Sequence, residues 1–377
     1  MGKRGQNHFL TQLLTPFEIR GFAGEMPVFV TAQTYLCGMK IYRFVPPFFA
    51  LFLFALFLQA RKPVTPPNAC VAFWNVENLF DTINDPNIND EEFLPGGKNK
   101  WTSERYNTKL QHLSKVILAM NNGNGPDILG VSEIENERVL KDLIAQPGLK
   151  EKDYGIVHYD SPDKRGIDVG FFYKKKSFRV LQSKTFAVSV EKDSFYTRDI
   201  LFVKGILNKK DTVGIFVNHW PSRRGGQEAS ESRRMHAAQV LMNARDSILK
   251  LNPGMELLAM GDFNDEPTNN SIQSLSYKEG NAVNGFVDLM DSLKAAGDGS
   301  YHYKKEKDLI DQFLVTHSFQ AKKTYYVGSA RILKLDYATG VNYKDDAPGP
   351  LHTYAGSRYI GGYSDHYPIY VDIYWAN

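Results

Sequence analysis

The stretch Glu256–Pro267 (Glu-Leu-Leu-Ala-Met-Gly-Asp-Phe-Asn-Asp-Glu-Pro) constrains the fold more than any other part of the chain. A short apolar run ended by glycine reads as a buried strand, so Asp262 and Asn264 emerge where that strand leaves its sheet. In α/β folds that is where ligands bind. Taken alone, Gly-Asp-Phe-Asn is equally a tight turn, because Asp and Asn side chains bond to their own backbone. Other polar tips that follow apolar runs elsewhere favour the first reading.

The first run, Ala69–Trp74, ends in Asn75-Val76-Glu77-Asn78. Alternate residues of an extended chain point the same way, which places Asn75 and Glu77 together. An amide beside a carboxylate suits a hard cation taking oxygen ligands, Mg²⁺ or alternatively Mn²⁺. A turn asparagine and a solvated glutamate fit the same letters. A second run, Pro126–Ser132, ends in Glu133, either a metal ligand at a strand-to-helix switch or an acid complementing the dipole of the helix-like segment 137–144. A third, Thr212–Val217, ends in Asn218-His219-Trp220-Pro221-Ser222-Arg223-Arg224, a histidine followed by a basic loop able to face a phosphodiester. Asp311 sits inside the apolar run near 308–315. Finally Asp365 and His366 stand side by side just ahead of the last strand; neighbours on a strand point to opposite sides, so the pair divides its work between metal and phosphate.

The connecting segments are simpler. A helix is expected from Thr102 or Ser103 as N-cap, with Tyr106, Leu110, Leu113 and Ile117 on one face, and another over 228–250. Tyr154–Tyr159 and Ile167–Tyr173 read as a hairpin. Asp168, inside its second arm, needs a partner because an unpaired buried charge is costly. Arg198 precedes a further strand and suits a phosphate or a structural ion pair equally. The polar loop 84–100, with Asp90, Glu91 and Glu92, reads as a solvated surface loop rather than a calcium site, since it lacks the alternating spacing.

Composition matters chiefly at the N-terminus. Phe48–Leu58 is an unbroken apolar run behind Lys40 and Arg43, too short for a spanning helix of roughly 20 residues and followed by small Ala60: the pattern of a secretory signal peptide. Residues 1–60 are therefore read as a leader, with Met39 as the expected true start, and 61–377 as one catalytic domain. The protein is expected to be secreted or periplasmic, touching a membrane only through an uncleaved leader. The leader holds five of the 45 basic and two of the 42 acidic residues, leaving 40 of each and no net charge to advertise a polyanion partner. One of the two cysteines, Cys37, lies in the leader, which leaves Cys70 alone and excludes an internal disulfide. No Cys/His cluster has zinc spacing, and no stable protein partner is evident.

In that order, Asn75, Glu133, Asp168, His219, Asp262 with Asn264, Asp311, and Asp365 with His366 resemble the endonuclease/exonuclease/phosphatase superfamily, the deoxyribonuclease I-like proteins, in a secreted bacterial-type form. The resemblance runs from about Val71 to Tyr374. It implies an α/β four-layer sandwich of two mixed β-sheets flanked by helices, with the site at one end of the sheets. It further implies Glu133, Asn75, Asp365 and Glu77 around Mg²⁺, Asp262 orienting or deprotonating water, Asn264 on a phosphate oxygen, His366 paired with Asp311, and His219 paired with Asp168. Arg198, Asn218, Arg223 and Arg224 are the candidate substrate contacts. The activity implied is metal-dependent phosphodiester hydrolysis, foremost by an exported nuclease. The alternatives are a phosphomonoesterase, a sphingomyelinase-like phospholipase, and a non-catalytic binding module, which would have lost the ligands that this chain keeps.

Overall fold

The computed structural model describes residues 68–375 apart from 191–193, 277–284, 304, 322–324, 328–329 and 342–346. The leader, its apolar run and Met39 lie outside the described residues. Among the described residues no helix is long and apolar enough to cross a membrane.

Two large mixed sheets carry the chain. The first is built from β1 (Ala69–Leu79), β2 (Ile128–Ile134), β3 (Tyr154–His158) and β4 (Asp168–Lys174). Three late strands complete it: β11 (Tyr325–Val327), β12 (Arg331–Ile332) and β13 (Ile369–Trp375). Its order is β11-β13-β1-β2-β4-β3, with β12 also pairing β13. The second contains β5 (Phe178–Phe186), β6 (Ile200–Leu207), β7 (Asp211–His219), β8 (Glu256–Asp262), β9 (Phe286–Asp288) and β10 (Asp311–Thr316), in the order β5-β6-β7-β8-β10-β9. Each sheet holds a central parallel pair, β1 with β2 and β7 with β8. The carboxyl ends of both pairs carry the polar tips.

Strand alternation decides the layers. Val71 and Phe73 of β1 join Leu258 and Met260 of β8 in one apolar cluster between the sheets. The intervening Ala72 and Trp74 face outward with Leu113 and Ile117 of α1 (Ser103–Gly123) and Leu140 and Leu143 of α2 (Glu137–Ile144). Leu257 and Ala259 face outward with Ala237, Leu241 and Ile248 of α3 (Gln227–Leu251). Helix, sheet, sheet, helix: both faces of each sheet are covered, which is why the central strands are apolar without interruption. Burying one large apolar side chain contributes about 1.5–3 kcal/mol.

Local signals explain the boundaries. The Thr102 hydroxyl accepts from the Arg105 N–H and caps α1, whose buried stripe includes Tyr106, Leu110, Leu113 and Ile117 as expected. The 84–100 loop departs from the expected solvated surface. Asp90 is buried and accepts from the Asp85 N–H, while Phe93 stacks on Phe80 at 4.2 Å; Glu91 and Glu92 remain exposed. A loop with an aromatic to bury anchors itself, and its turn acid follows inside.

Candidate functional site

Register builds half of the site. Asp262 pairs with His219 on the parallel neighbour β7 and with Asp311 on the antiparallel neighbour β10, so one rung of the second sheet carries two acids and an imidazole. Gly261 allows this, because a Cβ there would lie 2.3 Å from the Asn218 carbonyl oxygen. The Trp220 N–H donates to the Asp262 carbonyl and extends the pairing past the strand end.

The first sheet supplies the other half. Asn75, where the regular β1–β2 pairing breaks, donates from Nδ2 to Asp262 Oδ2 at 3.0 Å across the two sheets. The 362–366 segment is tied to the same part of β1. Ser364 Oγ donates to the Asn75 carbonyl at 2.7 Å, and the Trp74 indole donates to the His366 carbonyl at 2.9 Å. His366 thereby sits with Nδ1 2.7 Å from Asp311 Oδ2 and Nε2 3.8 Å from Asp262 Oδ2.

Backbone strain marks the same places. Glu77, Asn78, Glu133 and Asn264 all have φ between 51° and 61°, a conformation that costs a residue other than glycine of order 1–3 kcal/mol and gathers at functional sites. At Glu77 it corrects the expectation that Asn75 and Glu77 point together. The β1–β2 register shifts between Asn75 and Leu79, and with alternation broken by the bulge Asn75 bonds to Asp262 and Glu77 to the Thr353 backbone. Glu77 Oε2 accepts from the Thr353 N–H at 2.6 Å and lies 3.7 Å from Lys109 Nζ. Glu133 Oε2 accepts from the Asn78 N–H, and its Oε1 is 3.9 Å from His219 Nε2.

Electrostatics separate the acids and the two imidazoles. Burial above all, and then Asp311, push Asp262 up to about 7 against the pull of His366. Burial opposes charge on His366, yet Asp311 and Asp365 outweigh it and hold the ring well above the ordinary histidine range. His219 goes the other way: burial, then Arg198, Arg165 and His366, hold it well below.

Other expected residues take different places. Asp168 does not pair with His219: it accepts from His158 at 3.1 Å and from Ser161, and His219 Nδ1 has no hydrogen-bond partner among the described residues. Arg198 forms a buried ion pair, with Nη1 on Asp163 at 2.9 Å, and Nη2 donates to the Trp220 carbonyl. Asn218 is fully buried and uses both ends of its amide, donating to the Met260 carbonyl and accepting from the Trp220 indole. Arg223 braces the loop after Asp262, donating to the Asn264 carbonyl at 2.7 Å and to Asn269. Arg224 is exposed. Asn264 donates from Nδ2 to the Trp220 carbonyl, and its N–H donates to Asp262 Oδ1.

Sequence reasoning missed Lys109, His158, His352 and Ser364. Lys109 is 1% exposed and donates to Thr353 Oγ1 and to the Tyr363 carbonyl. It falls between Tyr106 and Leu113 on the apolar stripe of α1, and that spacing was a readable sign that it points inward.

Among the described residues three groups of side chains have the donors for a cation, with ligand atoms all within 4.8 Å: at the site Asp262, Asp311 and His366, and Glu77, His352 and Asp365, and away from it His158, Asp160 and Asp168. In the first, the His366 imidazolium already answers the carboxylates. In the second, Asp365 Oδ1 is buried without a hydrogen-bond partner, an orphaned acceptor that a hard cation satisfies. The donor set therefore fits a divalent metal.

Residues 70–374 match the model of the Endonuclease/Exonuclease/phosphatase family. The chain belongs to this family. Its members hydrolyse phosphoester bonds with divalent metal ions, and the oxygen donors above agree with that chemistry. No curated protein matches in sequence. Among solved structures, the human Nocturnin catalytic domain with bound sulfate is similar at 18% identity and TM-score 0.52, covering 83% of this chain and 96% of that one. A Bacteroides thetaiotaomicron mannosyl-6-phosphatase is similar at 16% identity and TM-score 0.51, covering 81% and 99%. D. rerio TDP2 in complex with a single-strand DNA product is similar at 14% identity and TM-score 0.51, covering 81% and 98%. At these identities the likeness establishes the deoxyribonuclease I-like fold.

Proposed function

We propose that this family member is an exported, divalent-metal-dependent phosphodiesterase acting on nucleic acid. The observation that carries the reading is the buried constellation of Asp262, His366 and Asp311, with the oxygens of Glu77, Glu133 and Asp365 alongside. Asp262, raised to about 7 by burial, is tuned to orient water and accept its proton near neutral pH. Asn75 Nδ2 and the Asn264 N–H fix its two oxygens. His366, held charged by Asp311, presents a fixed cation to the phosphoryl oxygens as charge builds on them. Glu77, Glu133 and Asp365 would hold a divalent cation, which would supply further neutralisation of that charge. His219, held neutral, serves as a hydrogen-bond donor or acceptor beside Asp262 rather than as a second cation.

Exposed Arg224 remains the basic side chain of the 218–226 loop open to a phosphate backbone. The apolar run Phe48–Leu58 behind Lys40 and Arg43 supports export. A second reading, a phosphomonoesterase, is favoured by one observation: a cavity of about 370 Å³ opens beside Asp365, lined in part by Tyr301, Tyr303 and Lys98, a size suited to a small phosphorylated molecule. Incubation with plasmid DNA, RNA and a panel of phosphomonoesters, with Mg²⁺ or Mn²⁺ and with EDTA, tests both. Cation-dependent loss of nucleic acid is the expected result; intact nucleic acid beside rapid phosphate release replaces the first reading with the second.

A further inference from the structure

Residues 352–353 do more than close a cavity. Lys109 donates to Thr353 Oγ1 at 2.6 Å and to the Tyr363 carbonyl at 2.7 Å, and the Gly362 N–H donates to the His352 carbonyl. His352 is thus seated on a braced platform. Its imidazole lies with the carboxylates of Glu77 and Asp365, ligand atoms within 4.8 Å of one another, and all three line the 370 Å³ cavity. Ligands of one cation with bonds of about 2.1 Å stand no more than about 4.2 Å apart, so the three ligand atoms lie within about 0.6 Å of binding separation. Glu77 Oε2 is committed to the Thr353 N–H beside Lys109, which leaves Oε1 to offer. Such outer partners orient a metal-binding carboxylate. Asp365 Oδ1 is buried without a hydrogen-bond partner among the described residues, with His366 Nε2 4.0 Å away, and the cavity has room for waters to complete a coordination shell.

We infer that His352 acts with Glu77 and Asp365 as a nitrogen ligand to a divalent cation, and that this chain therefore prefers Mn²⁺ to Mg²⁺. Mg²⁺ takes oxygen ligands and gives up its waters reluctantly, whereas an imidazole donor favours first-row transition ions. The inference rests on the phosphoesterase reading only for the use to which the ion is put; its binding is measured separately.

The test is Mn²⁺ titration of the metal-stripped protein, read by pulsed electron paramagnetic resonance and by competition with Mg²⁺. The expected result is ¹⁴N modulation from a bound imidazole and Mn²⁺ binding about tenfold or more tighter than Mg²⁺. His352→Gln should remove the modulation and weaken Mn²⁺ about tenfold, with Mg²⁺ binding changed by less than about twofold. His352→Asp, restoring an oxygen donor, should recover binding with the preference shifted toward Mg²⁺. Circular dichroism of both variants reports folding. Nitrogen modulation that survives His352→Gln and disappears in His366→Gln would place the ion with Asp262 and Asp311 and overturn the inference. So would equal affinities for the two ions in a protein indifferent to the substitution. Hydrolysis assays keep the readings apart: active protein without nitrogen coordination sinks only this inference, and nitrogen-coordinated Mn²⁺ without hydrolysis of any phosphoester sinks only the functional proposal.

Discussion

His219 and His366 reach Asp262 from opposite sheets at nearly the same distance, 3.7 and 3.8 Å between Nε2 and Oδ2. Both rings are buried, yet one is held neutral and the other charged. What differs is the far side of each ring. Behind His366 stands Asp311 at 2.7 Å; behind His219, Nδ1 has no hydrogen-bond partner, and Arg198 and Arg165 oppose a charge. Proximity to the same acid does not give two imidazoles the same role. The group on the remote nitrogen does.

The comparison breaks most visibly by removing each ring. His366→Ala should lower kcat by about 10³-fold, of order 4 kcal/mol in the barrier, while His219→Ala should cost about tenfold. Equal losses in the two variants, with circular dichroism unchanged, would mean that the rings are interchangeable. Asp311→Asn sharpens the distinction, with an expected loss of about 10²-fold and a displaced pH profile. A cation that acts while protonated is lost as pH rises through its pKa, and without Asp311 that pKa falls. The alkaline limb of kcat/KM should therefore move to lower pH; an unmoved limb would show that His366 does not need Asp311 for its charge.

The smallest effect tests the same rule on an acid outside the site. Burial pushes Asp288 up to about 7, and its Oδ2 is buried without a hydrogen-bond partner among the described residues. A carboxyl raised in the folded state contributes stability below its unfolded pKa and loses that contribution as pH rises through 7. Asp288→Asn, which keeps an acceptor for the Met290 N–H, should raise Tm by about 2 °C at pH 8 and by less at pH 5. An equal change at both pH values would reject the shift.

Much of this was legible because strands end where their polar residues begin. Asp262, Asp311 and His219 each follow or open an apolar run, and the register that sets them on one rung is a consequence of packing those runs between two helical layers. The sequence could not show where the chain turns against its pattern. Glu77 and Glu133 adopt positive φ, so the rule of alternating faces fails at the point where the site needed it. Basic residues also misled, since charge says nothing about direction: Arg198 and Arg223 spend their hydrogen bonds inside the protein, and Asn218 does the same with its amide. His352 lies in an irregular segment with no periodicity, and only coordinates bring it to Glu77 and Asp365.

The clasp between Trp74 and the His366 carbonyl joins residues 292 positions apart, and β13 follows every other described strand in the chain. A ribosome-bound nascent chain therefore carries Asp262 without the histidine that completes its surroundings. The acid and the ring meet only once two distant parts of the chain have both been made, and a cut that let β13 leave the first sheet would separate Asp262 from His366 without touching either side chain.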